Sequence, residues 1–152
     1  MFRAIALSVL LPVNVCSADD MSIARAFATF DREDLIQFLS TKTRSEITQY
    51  RAYGGFNVVH SAMINSQNPD ALKLALEYGA DINQESLEGR TPLRQSIEAN
   101  KLEVAQRLIS FGASLDVLNI VNQSAISICQ EILVQEPNQE TCKFVLSLKI
   151  SK

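Results

Sequence analysis

Apolar residues recur at helical spacing along much of the chain, and the pattern is clearest around residue 100. The segment Leu102–Ser110 repeats apolar positions on one face, which predicts an amphipathic helix. Before it, the Thr-Pro pair ending at Pro92 predicts the start of a shorter helix that runs to about Ala99, because proline is tolerated at the first helical position. Asn100 and Gly112 follow the two predicted helices, and both residue types accept the left-handed geometry that ends a helix. The pattern therefore predicts a pair of short helices with a tight connection.

The same arrangement recurs at a fixed period. The segment Gly79–Asn83 has a counterpart 33 residues later in Gly112–Asp116. The segment Gly89–Arg94 has one counterpart 34 residues earlier, Gly55–His60, and another 33 residues later, Asn122–Ser127. One pair of short helices is too small to bury its own apolar face, so neighbouring units must stack to form a core.

These segments resemble the ankyrin repeat family, whose units open with Thr-Pro-Leu and close with Gly-Ala-Asp. The residues that carry the likeness are Thr91-Pro92-Leu93, Leu102-Glu103-Val104, His60 and Gly79-Ala80-Asp81-Ile82-Asn83. The resemblance implies an all-α solenoid of stacked helix–turn–helix units. It divides the chain into a capping unit at 19–51, repeats at 52–85 and 86–118, and a C-terminal unit at 119–152.

The two outer units match this pattern less closely. In the capping unit, we expect two short helices at Ser22–Phe30 and Asp34–Leu39, joined by Asp31 to Glu33. In the C-terminal unit, about four extra residues near Glu136–Gln139 are expected between its two helices.

Residues 1–18 have the pattern of a secretory signal peptide. One arginine precedes an apolar run of about ten residues, and small residues precede a cleavage point after Ala18. A buried N-terminal helix is the alternative, although Pro12 and Asn14 interrupt the run. A lipoprotein fits the residues before Cys16 less well, and Met21 could serve as an internal start. We expect an exported protein, periplasmic or secreted, without a membrane-spanning segment.

Charge and composition exclude several classes of function. The formal net charge is −3, which lacks the basic footprint of nucleic-acid binding. The single histidine and three cysteines have no zinc-site spacing, and no hydrolase, nucleotide or metalloprotease motif is present. The resemblance assigns His60 hydrogen bonds between adjacent turns, whereas Arg94 and Ser127 stand at the matching positions of the next two units. We therefore predict no catalytic residue, no metal site, no cofactor and no enzymatic activity.

Cys129 and Cys142 are the two thiols that would remain after cleavage. An even number of cysteines in an exported chain favours a disulfide, and the resemblance places the pair on the two helices of the last unit. Such a bridge closes a loop of about 14 residues and contributes on the order of 3 kcal/mol in the chain-entropy model. Two buried free cysteines are the alternative.

The resemblance implies that function resides in a protein-binding surface made of turn tips and the exposed side of the first helices. Several tips carry apolar residues, which favours an interface over packing of the tips on each other. The implied tip positions are Tyr53, Gly54, Phe56, Leu87, Glu88, Arg90, Ile120, Val121 and Gln123, and the implied helix positions are Ile64, Asn65, Glu98, Ala99, Glu131 and Ile132.

The sequence is similar to small ankyrin-type immunity proteins that pair with type VI secreted lipases. The likeness lies in the signal segment, the short array and the acidic charge. It implies that the partner is a secreted lipase or another toxic effector. A general periplasmic scaffold, in oxidative-stress defence for example, is the alternative, and an enzyme with an unrecognised site is a third. The sequence does not specify an oligomeric state.

Overall fold

The computed structural model describes residues 18–66, 68–119 and 122–150. Across these ranges the chain is helical and contains no strand, so the expected all-α solenoid is confirmed. The helices are α1 (Ala18–Thr29), α2 (Arg32–Ser40), α3 (Arg44–Gln49), α4 (Val58–Ala62), α5 (Ala71–Glu77), α6 (Pro92–Glu98), α7 (Leu102–Ser110), α8 (Ala125–Gln135) and α9 (Glu140–Ile150), with a single 3-10 turn at Tyr53–Gly55.

Three tight turns stand at matching positions before α4, α6 and α8, and we call them the tips. They span Ala52–Phe56, Ser86–Arg90 and Asn119–Gln123. In each tip, the N–H of the first residue donates to the carbonyl of the last, at 2.7, 3.0 and 3.1 Å in that order. Each tip also has a left-handed residue at its fourth position, namely Gly55, Gly89 or Asn122. The repeat found in the sequence is therefore a repeat of backbone geometry.

The α6–α7 pair follows the local signals of the sequence. The Thr91 hydroxyl caps α6 by accepting from the N–H of Arg94 at 3.2 Å, and Pro92 is the first residue of the helix. A left-handed residue follows the end of each helix: Asn100, with a φ of 49°, follows α6, and Gly112, with a φ of 95°, follows α7. The predicted bounds of the second helix agree with the structure.

The hydrophobic core is continuous across the unit boundaries. Helix α1 packs on α4 and α5, while α6 packs on α8 and α7 packs on α9. Fully buried side chains come from every unit, including Phe27, Leu72, Leu93, Leu108 and Val145. Because each helix pair completes its core with a neighbour, contacts between units add to the stability that each pair has by itself.

The capping unit differs from the expectation, because it contains a third helix. Helix α3 has six residues and begins with a capping box, in which Thr43 and Glu46 satisfy each other's backbone N–H groups. Helix α2 begins at Arg32 rather than Asp34, since Asp31 caps it by accepting from the N–H of Asp34 at 2.9 Å. The residues expected to join two helices therefore cap and begin the second one.

The extra residues of the C-terminal unit also lie elsewhere than expected. Helix α8 has 11 residues, whereas its counterpart α6 has seven. The expected insertion between the helices is therefore an added turn of α8, and the connection to α9 stays short.

The predicted signal peptide lies outside the described residues, apart from Ala18, the first residue of α1. No helix in the described ranges has both the length and the apolar content that crossing a membrane requires.

Candidate interaction surface at the tips

The first two tips lie side by side and are joined through their backbones. The N–H of Leu87 donates to the carbonyl of Gly54 at 2.8 Å. A side chain at Gly55 would have its Cβ 2.8 Å from the Leu87 nitrogen, and Gly55 also has a φ of 77°. Glycine is therefore required at this position by both the close approach and the backbone conformation. The backbones of the first two tips pack together, while the side chains of Tyr53 and Leu87 face outward.

An open groove of about 670 Å³ lies along these two tips, and we call it the tip groove. Two large side chains in it are strongly exposed: Tyr53 at 92% and Leu87 at 81%. Exposed apolar groups beside polar ones are typical of a protein-binding surface. The residues that line the groove are Arg51, Ala52, Tyr53, Gly54, Gly55, Gln84, Glu85, Ser86, Leu87 and Glu88.

The charged residues predicted at the second tip form ion pairs with each other. The Arg90 guanidinium lies 3.3 Å from the Glu88 carboxylate and 3.2 Å from that of Glu98. Glu98 also accepts from Arg94 Nε at 2.7 Å. These pairs are partly exposed, so each contributes on the order of 0.5 kcal/mol to stability. They orient Arg90 and Glu98 on the surface between the second tip and α6.

Phe56 and His60 lie behind the first tip. The Phe56 ring is half-buried and packs against the His60 imidazole, with ring centroids 5.0 Å apart. His60 Nδ1 lies 2.8 Å from Asn57 Oδ1 and 3.3 Å from the Asn57 backbone nitrogen, and Nε2 lies 3.2 Å from the Arg90 carbonyl oxygen of the next tip. His60 thus makes the expected bond between adjacent turns, and Phe56 is a packing residue more than a free anchor.

Burial sets the protonation of His60. Loss of hydration lowers its pKa from the ordinary 6.5 to about 4, the hydrogen bond with the Arg90 carbonyl opposes this shift, and the positive charge of Arg51 adds to it. The imidazole is therefore neutral at pH 7 and occupied on both nitrogens, which suits a structural link between units.

The helix positions divide into exposed and buried residues. Ile64 is exposed as expected, at 63%. It lies in the turn after α4 and not on the helix, since α4 ends at Ala62. Asn65, expected at the surface, is buried, and its amide donates to the carbonyls of Phe27 and Phe30 at 3.0 and 2.9 Å. The expectation for Asn65 is wrong, since its side chain links the repeat at 52–85 to the capping unit.

The third tip contributes fewer described side chains. Gln123 is half-buried and donates to Glu131 at 2.8 Å, whereas Ile132 packs against the core. Ile120 and Val121, both predicted contact residues, lie outside the described residues. The structure thus brings Tyr53, Leu87 and Glu88 together along the first two tips.

Arg51, Gln84 and Glu85 are among the residues of the tip groove that sequence reasoning missed. Arg51 Nη2 donates to Gln84 Oε1 at 2.9 Å across the boundary of two units. These residues are 33 positions apart in sequence, and stacking brings them together. The 33-residue period of the sequence was the signal that could have predicted this contact.

The structure joins Cys129 of α8 to Cys142 of α9 by a disulfide, with Cα atoms 4.8 Å apart. Both residues are fully buried, and Gln139 beside them donates to the Ile97 carbonyl of the preceding unit at 2.9 Å. The last helix pair is therefore held by a covalent bond and by a hydrogen bond to its neighbour. In the described part of the chain, no group of three or more acidic, histidine or cysteine side chains could hold a metal ion.

Comparison with known proteins identifies similar repeats. The sequence profile of the family "Ankyrin repeats (3 copies)" matches residues 21–119. The chain is 35% identical over 89 residues to protein phosphatase 1 regulatory subunit 27 of Homo sapiens, which covers 59% of this chain and 56% of that protein. It is 31% identical over 70 residues to a putative ankyrin repeat protein of Acanthamoeba polyphaga mimivirus, and these residues cover 46% of this chain and 43% of that protein. A third similar protein is the B-cell lymphoma 3 protein homolog of Mus musculus, 34% identical over 79 residues, which cover 51% of this chain and 17% of that protein. The chain spans about half the length of the first relatives or less.

Proposed function

This chain belongs to the ankyrin repeat family, and we propose that it is an exported, non-enzymatic inhibitor that binds a toxic effector protein through the tips of its repeats. Ankyrin repeats mediate protein–protein interaction. The observation that carries the proposal is the tip groove, where Tyr53 and Leu87 are almost fully exposed next to polar side chains.

The proposed location outside the cytoplasm rests on two features. Residues 1–18 have the pattern of a signal peptide, and Cys129 and Cys142 form a disulfide. Disulfides persist in oxidising compartments and are rare in the cytosol. The bacterial periplasm meets both conditions.

The proposed inhibitory role rests on the kind of task that relatives perform. One similar protein is named as a regulatory subunit of a phosphatase, and by analogy we propose that this chain regulates an enzyme. The net charge of −3 favours association with a basic surface and raises the rate of encounter with it. A secreted lipase or another effector with a basic face would suit this surface.

The test captures effectors from a periplasmic extract with the tagged chain and then measures the activity of each captured enzyme. We expect stoichiometric inhibition by the wild-type chain. A double substitution, Tyr53→Asp with Leu87→Asp, should abolish capture without loss of helical circular dichroism. The matched control is Val134→Asp, at an 83% exposed position near the end of α8, which should inhibit like the wild type.

Capture of a protein whose activity does not change would support the scaffold role and contradict the inhibitory role. Turnover of substrate by the purified chain itself would contradict the non-enzymatic assignment.

A further inference from the structure

The two large side chains of the first two tips project outward from the molecule. Tyr53 is 92% exposed and Leu87 is 81% exposed, so the rest of the chain covers little of either side chain. Their neighbours in sequence, Ala52, Gly54 and Ser86, are small. A side chain that projects this far is fully desolvated only when a partner surrounds it on several sides. A flat surface would cover one side alone, so the partner must supply a hollow at this place.

The backbone holds the two projecting side chains at a fixed spacing. The N–H of Gly55 donates to the Ala52 carbonyl at 2.9 Å and closes the turn that carries Tyr53. The N–H of Leu87 donates to the Gly54 carbonyl at 2.8 Å and joins the second turn to the first. Because the turns are ordered before binding, a partner does not have to order them, and the two side chains act as a preformed pair of anchors.

Charged residues beside these side chains are already paired within the chain. Arg51 donates to Gln84 at 2.9 Å. The Arg90 guanidinium lies 3.3 Å from the Glu88 carboxylate and 3.2 Å from that of Glu98. A charge that already has its partner adds little to the affinity for another protein. The main contact left to a partner is therefore the apolar surface of the two projecting side chains, and the hollow that receives them must be apolar.

A second copy of the chain does not match this surface. Two copies that met through their tips would bring projecting side chains against each other. The cavity between the second and third tips, which Gly89 and Asn119 help to line, has a volume of about 10 Å³. That volume accepts about one water molecule and is too small for a leucine or tyrosine side chain. An enzyme is the better match, because binding sites for small substrates are concave and mostly apolar.

We propose that Tyr53 and Leu87 insert into the apolar substrate cleft of the partner enzyme and exclude its substrate. This inference rests on the proposed function and specifies where on the effector the chain binds. The chain is then a competitive inhibitor, because its two anchors occupy the space that the substrate would fill. The small residues around the anchors, such as Gly54, let the rim of the cleft approach the backbone of the tips.

The experiment measures inhibition of the captured effector by the purified full chain at several concentrations of that effector's substrate. We expect the apparent inhibition constant to rise with substrate concentration, about tenfold when the substrate exceeds its KM about tenfold. Tyr53→Ala and Leu87→Ala should each weaken inhibition about 30-fold, because each removes most of a buried apolar side chain. Tyr53→Phe should inhibit at least as strongly as the wild type, since an apolar hollow offers the hydroxyl no partner.

A control separates insertion of the anchors from a general loss of exposed apolar surface. Val134 is 83% exposed near the end of α8, and Val134→Ala should inhibit like the wild type. Circular dichroism of each variant should show the helical content of the wild type.

Inhibition that does not depend on substrate concentration would overturn the inference and retain the proposed function. Loss of inhibition in Tyr53→Phe would overturn the apolar hollow in the same way. A dimer of the free chain in analytical ultracentrifugation that Tyr53→Ala dissociates would show that a second copy covers the anchors and would also overturn the inference. Absence of any captured and inhibited effector would overturn the proposed function together with the inference.

Discussion

His60 is expected to make the stability of the protein depend on pH between about 6.5 and 4. It is the single histidine of the chain, and its folded-state pKa of about 4 lies below the ordinary 6.5. The unfolded chain therefore binds a proton between these values that the folded chain does not. Stability is full above pH 6.5 and falls as the pH decreases toward 4.

The magnitude follows from the two pKa values. Between about pH 7.5 and pH 5, protonation of the unfolded state lowers the free energy of unfolding by about 2 kcal/mol, and by about 3 kcal/mol once the pH reaches the folded pKa. Burial of the ring disfavours its charged form, whereas the hydrogen bond to the Arg90 carbonyl favours that form and limits the size of the shift.

The assay is urea denaturation followed by circular dichroism at several pH values, for the wild type and His60→Gln. Glutamine retains an N–H donor but does not titrate, so the variant should lose the 2 kcal/mol dependence between about pH 7.5 and 5. The titration of surface carboxylates is common to both proteins and cancels in the difference. Parallel curves for the two proteins would refute a buried, neutral His60.

Other substitutions test the packing of units and the tips, each by the free energy of unfolding in urea. Replacing Cys129 and Cys142 by serine should lower it by about 3 kcal/mol, and an equal stability of oxidised and reduced wild type would contradict this. Gly55→Ala should cost about 2 kcal/mol or more, because strain adds to a clash with the backbone, whereas Gly112→Ala, with open space around it, should cost about 1 kcal/mol. Asn65→Ala should cost about 2 kcal/mol by leaving two buried carbonyls without donors, and a cost under about 0.5 kcal/mol would show that water replaces the amide.

The units with strong local signals were predictable from the sequence. The proline at the start of α6 and the left-handed residues that follow α6 and α7 determine the bounds of this pair. These signals were readable because they act on the backbone within a few residues. The same reasoning missed α3, whose six residues bury one side chain, Ile47, and so show no apolar period. Its capping box at Thr43 was the signal that could have found it.

The contact surface was only partly predictable. Tyr53 and Leu87 could be placed on the tips because the repeat register alone determines their position. Asn65 was misplaced because its partners are carbonyls 35 to 38 residues away, which no local pattern reports.

The central claim is that a partner protein binds along the first two tips. The most direct measurement is hydrogen–deuterium exchange of the chain with and without a captured, inhibited effector. We predict slower exchange in the backbone amides of 51–56 and 84–90 in the complex, with little change in α9. Protection confined to α9 or to the capping unit, with the two tips unchanged, would contradict the account.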